Sequence, residues 1–260
     1  MPLHQVRQGK LVYYRFALFS GFPELVHGIF TRHGGISPPP YHSLNLSLTV
    51  GDQPERVLYN RQLLREALGV PELVSVGQVH GQKALIISSS EPQSAQLEPQ
   101  GLDILITNVP GLALMVKQAD CQSVIFYDPQ QRVIANVHCG WRGNVQNILG
   151  QTVRCLQENF GSRPPDLLVG ISPSLGPCCA QFINYRQELP PEFWPYQIRP
   201  DYFDLWRLSQ DQLQAQGVRP EQIQLAGLCS RCQAADFFSY RRDRHTGRNA
   251  TVIALRSADE

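Results

Sequence analysis

Between Leu112 and His138 the chain sets three apolar runs, LALMVKQ, QSVIFYD and RVIANVH, end to end with only ADC and PQQ between them. Gaps that short admit little but turns, so the runs read as neighbouring strands. Their nearly continuous apolar character places them in a sheet covered on both faces. The first turn carries Asp120 and Cys121, and the third strand ends at His138. Helical patterns that can cover such a sheet stand elsewhere in the chain. NVQNILGQTVRCLQENFG puts Val145, Ile148, Leu149, Val153, Leu156 and Phe160 on one face at helical spacing. A second helix follows Asp52, which can cap it. Pro54 sits in its first turn, Val57, Leu58, Leu64 and Leu68 form its apolar face, and Gly69 ends it near Leu68.

The remaining segments continue the mixture. Short strands fill residues 12 to 30, and the turn-rich TRHGGISPPPYHSLNLSLTVGD after them reads as a long ordered loop. Strand-like runs around 73–79 and 84–87 flank His80, and SSSEPQSAQLEPQG reads as a surface loop. DLLVGIS is a further strand, residues near 208–216 a polar helix, and NATVIALR the last strand. There is no internal repeat and no coherent linker. A chain of 260 residues can bury a large core. The expectation is an α+β fold, a single mixed α/β domain over 1–260 with buried mixed sheets flanked by helices.

Charge narrows the function classes. Lys and Arg together number 23 against 22 Asp and Glu, so no global field favours nucleic acid or an anionic membrane, and an anionic ligand must be captured locally. No apolar h-region with a cleavage site opens the chain and no window has bilayer-spanning length, so the expected address is cytoplasmic; a monomer is the default expectation. The seven cysteines suit a reducing compartment in which thiols act as ligands, nucleophiles or small core residues, without a structural disulfide.

Three short breaks beside strand-like runs carry the chemistry: SVGQVHGQKALII, LALMVKQADCQSVIFYD and VIANVHCGWRGN. His80, Cys121 and His138 in them are of the types that zinc favours, and three protein ligands leave the fourth position open, as in catalytic sites. Such an ion would polarise a bound water or ligand oxygen. The same residues allow a metal-free reading, with Cys121 as nucleophile, His138 as its base and Asp120 or another carboxylate orienting the imidazole. The two readings divide on His80, a ligand in one and a bystander in the other.

Other motifs are less decisive. CGWRG, between a strand and a helix, offers backbone N–H groups and the Arg142 guanidinium to phosphate or carboxylate, or merely a tight turn with Trp141 in the core. FFSYRRD could wall a ligand site with Phe237, Phe238, Tyr240, Arg241 and Arg242, or bury its rings. Asn45 and Arg61 could reach a pocket, or be a turn asparagine and a solvated helix arginine. Cys178 and Cys179 with Cys229 and Cys232 could in principle hold a structural zinc. Adjacent cysteines rarely aim both sulfurs at one ion, however, so small buried residues is the preferred reading.

HGIFTRHGGIS, SLNL, VGD, NRQLL, QVHG, ADCQSVIF, VHCGWRGNVQNIL, LGPCC and FFSYRRDRHTGR, in that order, resemble the laccase-domain or YfiH-like family over roughly residues 25 to 255. Its members include purine nucleoside phosphorylases formerly described as polyphenol oxidases. The resemblance implies a mixed α/β fold and a zinc ion on His80, Cys121 and His138. It also implies phosphorolysis of adenosine, inosine and S-methyl-5'-thioadenosine, with adenosine deamination as a further activity. Carried over in the same way, Asn45 and Arg61 become substrate contacts, while Arg142 is the candidate for orienting phosphate. This chain departs from the family at Cys139, where a small residue is common, at Gln122 in place of a frequent Leu, and at Arg244 within an RRDG-like turn. Two alternatives remain at this point: a Cys121/His138 hydrolase editing peptidoglycan precursors, and a copper-dependent polyphenol oxidase, for whose multi-copper cluster the chain lacks histidines.

Overall fold

The computed structural model describes residues 3–88 and 98–257, so most of the polar loop expected over 88–101 lies outside the described residues. Among the described residues fourteen strands occur: β1 (Leu3–Gln8), β2 (Leu11–Phe16), β3 (Leu25–Phe30), β4 (Glu72–Val74), β5 (Ala84–Ile87), β6 (Ile104–Thr107), β7 (Leu112–Gln118), β8 (Gln122–Asp128), β9 (Val133–Cys139), β10 (Leu168–Ile171), β11 (Gln197–Arg199), β12 (Tyr202–Phe203), β13 (Ile223–Leu225) and β14 (Asn249–Leu255). The α-helices are α1 (Pro54–Leu68), α2 (Trp141–Val145), α3 (Ile148–Phe160), α4 (Tyr185–Glu188), α5 (Leu205–Ala215) and α6 (Tyr240–Asp243).

Two six-stranded sheets dominate, in the orders β1-β2-β3-β14-β7-β4 and β13-β10-β8-β9-β6-β5. Both are mixed: antiparallel through most of their width, with β4 parallel to β7 in the first and β5 parallel to β6 and β13 to β10 in the second. Period-two alternation divides each apolar run between two cores. In β7, Ala113 and Met115 pack with Leu64 and Leu68 of α1, while Leu114 and Val116 face the other sheet. In β8, Ile125 and Tyr127 face that shared core, while Val124 and Phe126 meet Val153 and Leu156 of α3 and Leu213 of α5. The layers therefore run helix, sheet, sheet, helix, with the seven-residue strands β7, β8, β9 and β14 buried throughout. Between the sheets, Asn136 is fully buried, donating to the carbonyls of Leu114 and Thr251, both at 2.9 Å, and accepting from Ser123 Oγ at 2.7 Å. It ties the two sheets at a level where a lone amide would be costly.

Local differences from the sequence reading have physical causes. Leu58 is 55% exposed, and its place on the buried face of α1 is taken by Asn60 and Arg61, whose side chains bond into the loop before the helix. Gln53 occupies the cap position of α1. Asp52 instead accepts from the Gln53 N–H and from Asn45 Nδ2. The single helix expected from Val145 to Phe160 is two. Asn147 adopts a left-handed backbone (φ 53°) and caps α3 by accepting from the Gly150 N–H, which turns Val145 outward. The strand around 73–79 stops at Val74, because the following residues leave the ladder to build the site described next. No helix among the described residues is long and apolar enough to cross a membrane.

Candidate metal centre and cavity

The β8–β9 register pairs Gln122 with Cys139, which sets Cys121, in the turn before β8, beside Gly140 at the end of β9. His138 and Cys139 point to opposite faces, Cys139 into the α3 core and His138 toward Cys121. His80 reaches the same point from the irregular segment after β4, with Nε2 3.8 Å from Cys121 Sγ and its ring centroid 4.6 Å from that of His138. The ligand atoms of His80, Cys121 and His138 all lie within 4.8 Å of one another. The three residues that the sequence reading singled out thus meet in space.

A fourth residue, which that reading missed, holds two of them. Asp103, fully buried just before β6, accepts from His138 Nδ1 at 2.7 Å and from the His80 N–H at 3.0 Å on one oxygen. Its other oxygen accepts from the N–H groups of Val79 (3.1 Å) and Gly81 (2.7 Å). These bonds fold 79–81 around the carboxylate and sustain the left-handed backbone of His80 (φ 61°), uncommon for a residue with a side chain. With Nδ1–H given to Asp103, Nε2 is the His138 nitrogen that faces Cys121 and would ligate a metal, the carboxylate–histidine arrangement of metal sites. Burial opposes ionisation of Asp103, yet the bonds from His138 and from the turn hold its pKa below the ordinary carboxylate value.

The donor set fits a metal. Burial raises the Cys121 thiol, but His138 and His80 beside it prevail and bring it down to about 6. Burial lowers His138, but Cys121 and Asp103 lift it to about 9. The shifts favour a thiolate beside an imidazolium, whose proton a cation can replace, as ligand deprotonation on metal binding requires. Space is reserved for the ligands too. A Cβ on Gly140 would stand 2.9 Å from His80 Cδ2 and 3.0 Å from Cys121 Sγ, so any side chain there would press on both residues.

The centre opens on a cavity of about 680 Å³, within the range of small-molecule sites. Arg142, Arg241, Arg244, Arg248 and Lys117 line it with Glu98 and Asp120. Lys117, a lysine inside a buried strand, gives its three N–H bonds to Ser75 Oγ, the Val76 carbonyl and Glu98. Burial draws its pKa down to about 8 against the pull of Glu98. Glu98 also accepts from Arg61 at 2.7 Å, so lysine and arginine share one carboxylate. That leaves the four arginines as the cavity's available positive charge. Both oxygens of Asp120, whose φ is 90°, are engaged, accepting from Ser230 Oγ and the Arg241 N–H.

The other sequence candidates separate. Arg142 is exposed at the cavity edge, stacked 4.4 Å from the Trp141 ring. Tyr240 and Arg241 line the cavity, whereas Phe237 and Phe238 are buried and Arg242 pairs with Asp243. Neither Asn45 nor Arg61 lines it. Asn45 lies beneath, accepting from the Arg248 N–H at 3.0 Å, and Arg61 is bound to the Leu46 carbonyl and Glu98. Gln122 and Arg244, two departures from the family pattern, are at the cavity. The cysteines of PCC and CSRC, read as separate small residues, converge instead: the ligand sulfurs of Cys178, Cys179, Cys229 and Cys232 lie within 4.8 Å of one another.

Residues 26–256 match the family model described as multi-copper polyphenol oxidoreductase laccase. The chain is 36% identical over 251 residues to the purine nucleoside phosphorylase YlmD of Geobacillus stearothermophilus, covering 90% of this chain and 92% of that protein. It is 34% identical to the purine nucleoside phosphorylase YfiH of Escherichia coli K12, covering 86% and 91%. The crystal structure of YlmD from Geobacillus stearothermophilus superposes with a TM-score of 0.88 at 33% identity, over 98% of this chain and all of that one. The chain therefore belongs to the laccase-like YfiH family.

Proposed function

We propose that the chain is a zinc-dependent purine nucleoside phosphorylase acting on adenosine, inosine and S-methyl-5'-thioadenosine, with adenosine deamination as a further activity. The observation that carries this reading is the pairing of a three-ligand metal centre with a cavity whose available charge is four arginines. The names of the relatives support it. In phosphorolysis a phosphate oxygen attacks the anomeric carbon, the glycosidic C–N bond breaks, and its electron pair leaves with the purine, which takes up a proton. The products are the free base and the sugar 1-phosphate.

Zinc on His80, Cys121 and His138 would supply a Lewis acid for an oxygen at the reacting centre. The arginines bind and orient phosphate by bidentate, charge-assisted hydrogen bonds, which holds the nucleophile close to the sugar. Burial lowers the pKa of Arg248, and the nearby Cys121 and Asp120 oppose that shift. Asp120, with both oxygens occupied as acceptors, positions the Arg241 segment and is not assigned the proton transfer.

The experiment is to incubate zinc-loaded protein with adenosine and phosphate and to resolve adenine, ribose 1-phosphate and inosine by chromatography. Adenine with ribose 1-phosphate, lost in Cys121→Ala, is the expected result. No turnover, with Cys121→Ala indistinguishable from wild type, refutes the reading. Inosine formed without phosphate reports the deaminase.

One observation favours a second reading: the lowered thiol of Cys121 beside a raised His138 is also the pattern of a cysteine nucleophile. His80→Ala separates the two, since a metal-free and fully active variant would establish the thiol chemistry. A multi-copper oxidase, as in the family model's description, fits less well. Of seven histidines, only His80 and His138 enter a ligand cluster among the described residues.

A further inference from the structure

Two segments far apart in sequence meet behind the cavity wall. One is the PCC turn that follows β10, and the other is the CSRC segment that follows β13. They are joined by a bridge between Ser174 and Cys229, in which the Ser174 N–H donates to the Leu228 carbonyl at 3.2 Å and the Ser230 N–H to the Ser174 carbonyl at 2.9 Å. This pairing brings the four thiols together. Cys232 Sγ lies 3.6 Å from Cys178 Sγ and 3.5 Å from Cys179 Sγ, and all four sulfurs fall within 4.8 Å of one another.

We propose that Cys178, Cys179, Cys229 and Cys232 form a second metal site, a closed tetrathiolate centre for zinc that shares no ligand with the His80 centre. Zinc holds thiolates at about 2.3 Å, which places tetrahedral sulfurs about 3.8 Å apart. The separations of Cys232 from Cys178 and Cys179, 3.6 and 3.5 Å, fall near that spacing, and all four sulfurs lie within 4.8 Å of one another. Adjacent cysteines can both contribute because the chain turns tightly at this point, the N–H groups of Cys179 and Ala180 both donating to the Gly176 carbonyl at 2.9 Å.

The surroundings are those of a thiolate cage. Cys229 Sγ accepts from the Gly176 N–H at 3.3 Å and from the Cys232 N–H, the latter within its own CxxC loop. Four thiolates and one divalent cation leave a net negative charge, and arginines surround it. Arg231 reaches Cys179, Arg241 donates to the Cys179 carbonyl, and Arg199 donates to the Cys178 carbonyl at 3.1 Å. Cys179 and Cys229 face the apolar cluster of Leu175, Phe182 and Phe203, whereas Cys178 and Cys232 are exposed, which gives an ion a route in. The site staples two loops that carry cavity residues: Ser174, Leu175 and Phe182 on one side, Tyr240 and Arg241 on the other. Four coordination positions filled by protein make its role structural.

Metal analysis of the full chain, purified under reducing conditions and washed with a weak chelator, tests this. The expected contents are two zinc ions per chain in wild type, one in Cys178→Ser/Cys232→Ser and one in His80→Ala/His138→Ala. Should the serine pair fail to fold, cobalt loading of wild type and of the histidine variant gives a second readout. The intense visible ligand-field and thiolate charge-transfer absorption of a four-sulfur site must appear in both. The proposal is overturned by a single zinc that disappears in His80→Ala/His138→Ala, or by a native disulfide joining Cys232 to Cys178 or Cys179. The outcome is independent of the nucleoside reading, because metal count and cobalt spectrum require no turnover.

Discussion

Asp103→Asn puts the architecture of the His–Cys–His centre to its sharpest test. One carboxylate oxygen accepts from His138 Nδ1 (2.7 Å) and the His80 N–H (3.0 Å), the other from the Gly81 (2.7 Å) and Val79 (3.1 Å) N–H groups. An asparagine amide has one oxygen and one NH2, so in either orientation its NH2 faces two donors. No flip restores the set. At least two charge-assisted bonds are lost at a fully buried position, and two donors are left facing a third. Breaking a buried charged pair costs about 3–5 kcal/mol, and losing the partner of a ligating histidine weakens metal binding about 10- to 100-fold, or about 1.4–2.7 kcal/mol. Urea unfolding of the metal-free protein reads the first quantity, and zinc competition against a chromophoric chelator the second. Loss of stability with unchanged zinc affinity would make Asp103 a brace for the turn at 79–81 and nothing more. Zinc affinity within twofold of wild type, together with stability within about 1 kcal/mol, would refute the account altogether.

Three further outcomes are expected. Gly140→Ala, whose Cβ would press on His80 and Cys121 at 2.9 and 3.0 Å, lowers zinc affinity on the order of tenfold while the fold survives, checked by zinc titration and circular dichroism. Lys117→Met strands the Ser75 and Val76 acceptors and leaves Glu98 to Arg61 alone, so unfolding free energy falls by about 3 kcal/mol in urea titration. A pH series reads His27, which accepts the Phe16 N–H at 2.7 Å and is pushed by burial from 6.5 down to about 3. Its folded value lies below its unfolded one, so its stabilisation is complete above pH 6.5 and is lost as pH falls toward 3, about 2 kcal/mol of it by pH 5. His27→Gln therefore flattens the fall in stability between pH 7 and 5, and an equally steep fall in the variant would count against this assignment.

Much of the fold was legible because its central strands are buried on both faces. LALMVKQ, QSVIFYD and VIANVHC admit little besides a covered sheet, and they proved to be β7, β8 and β9. β1 was not legible, since LHQVRQ is an exposed edge strand whose pattern owes more to water than to a core. The split of the 145–160 helix turned on one backbone angle at Asn147, to which helical periodicity is blind. At the site, His80, Cys121 and His138 were visible because they interrupt apolar runs. Asp103 was hidden for the opposite reason: in GLDILIT it looks like a turn residue opening a strand, and its four donors arrive from elsewhere in the chain. Lys117 carried a signal that was available and unread, a charge in the middle of a buried strand, which demands a partner.

The two thiol-bearing clusters rest on different foundations, and this determines how each answers to metal. His138 is the penultimate residue of a fully buried strand, Cys121 is fixed by the β8–β9 register, and Asp103 binds both His138 and the His80 turn. That centre is shaped by the two-sheet core itself, so on the proposed zinc reading chelation would leave its architecture in place. The four cysteines sit on irregular segments, tied to one another by the short Ser174–Cys229 bridge and by Arg241 bonds to the Cys179 and Gln181 carbonyls, and to the β7–β8 turn by Asp120, which accepts from the Leu175 N–H, Ser230 Oγ and the Arg241 N–H. Draining an ion from there loosens the loops that present Arg241 and Tyr240 to the cavity. Substrate binding would then weaken while the His–Cys–His centre keeps its geometry. On the proposed reading, a selective loss of affinity with metal still on the His–Cys–His centre would be the signature of the second site, and loss of turnover with the cavity intact that of the first.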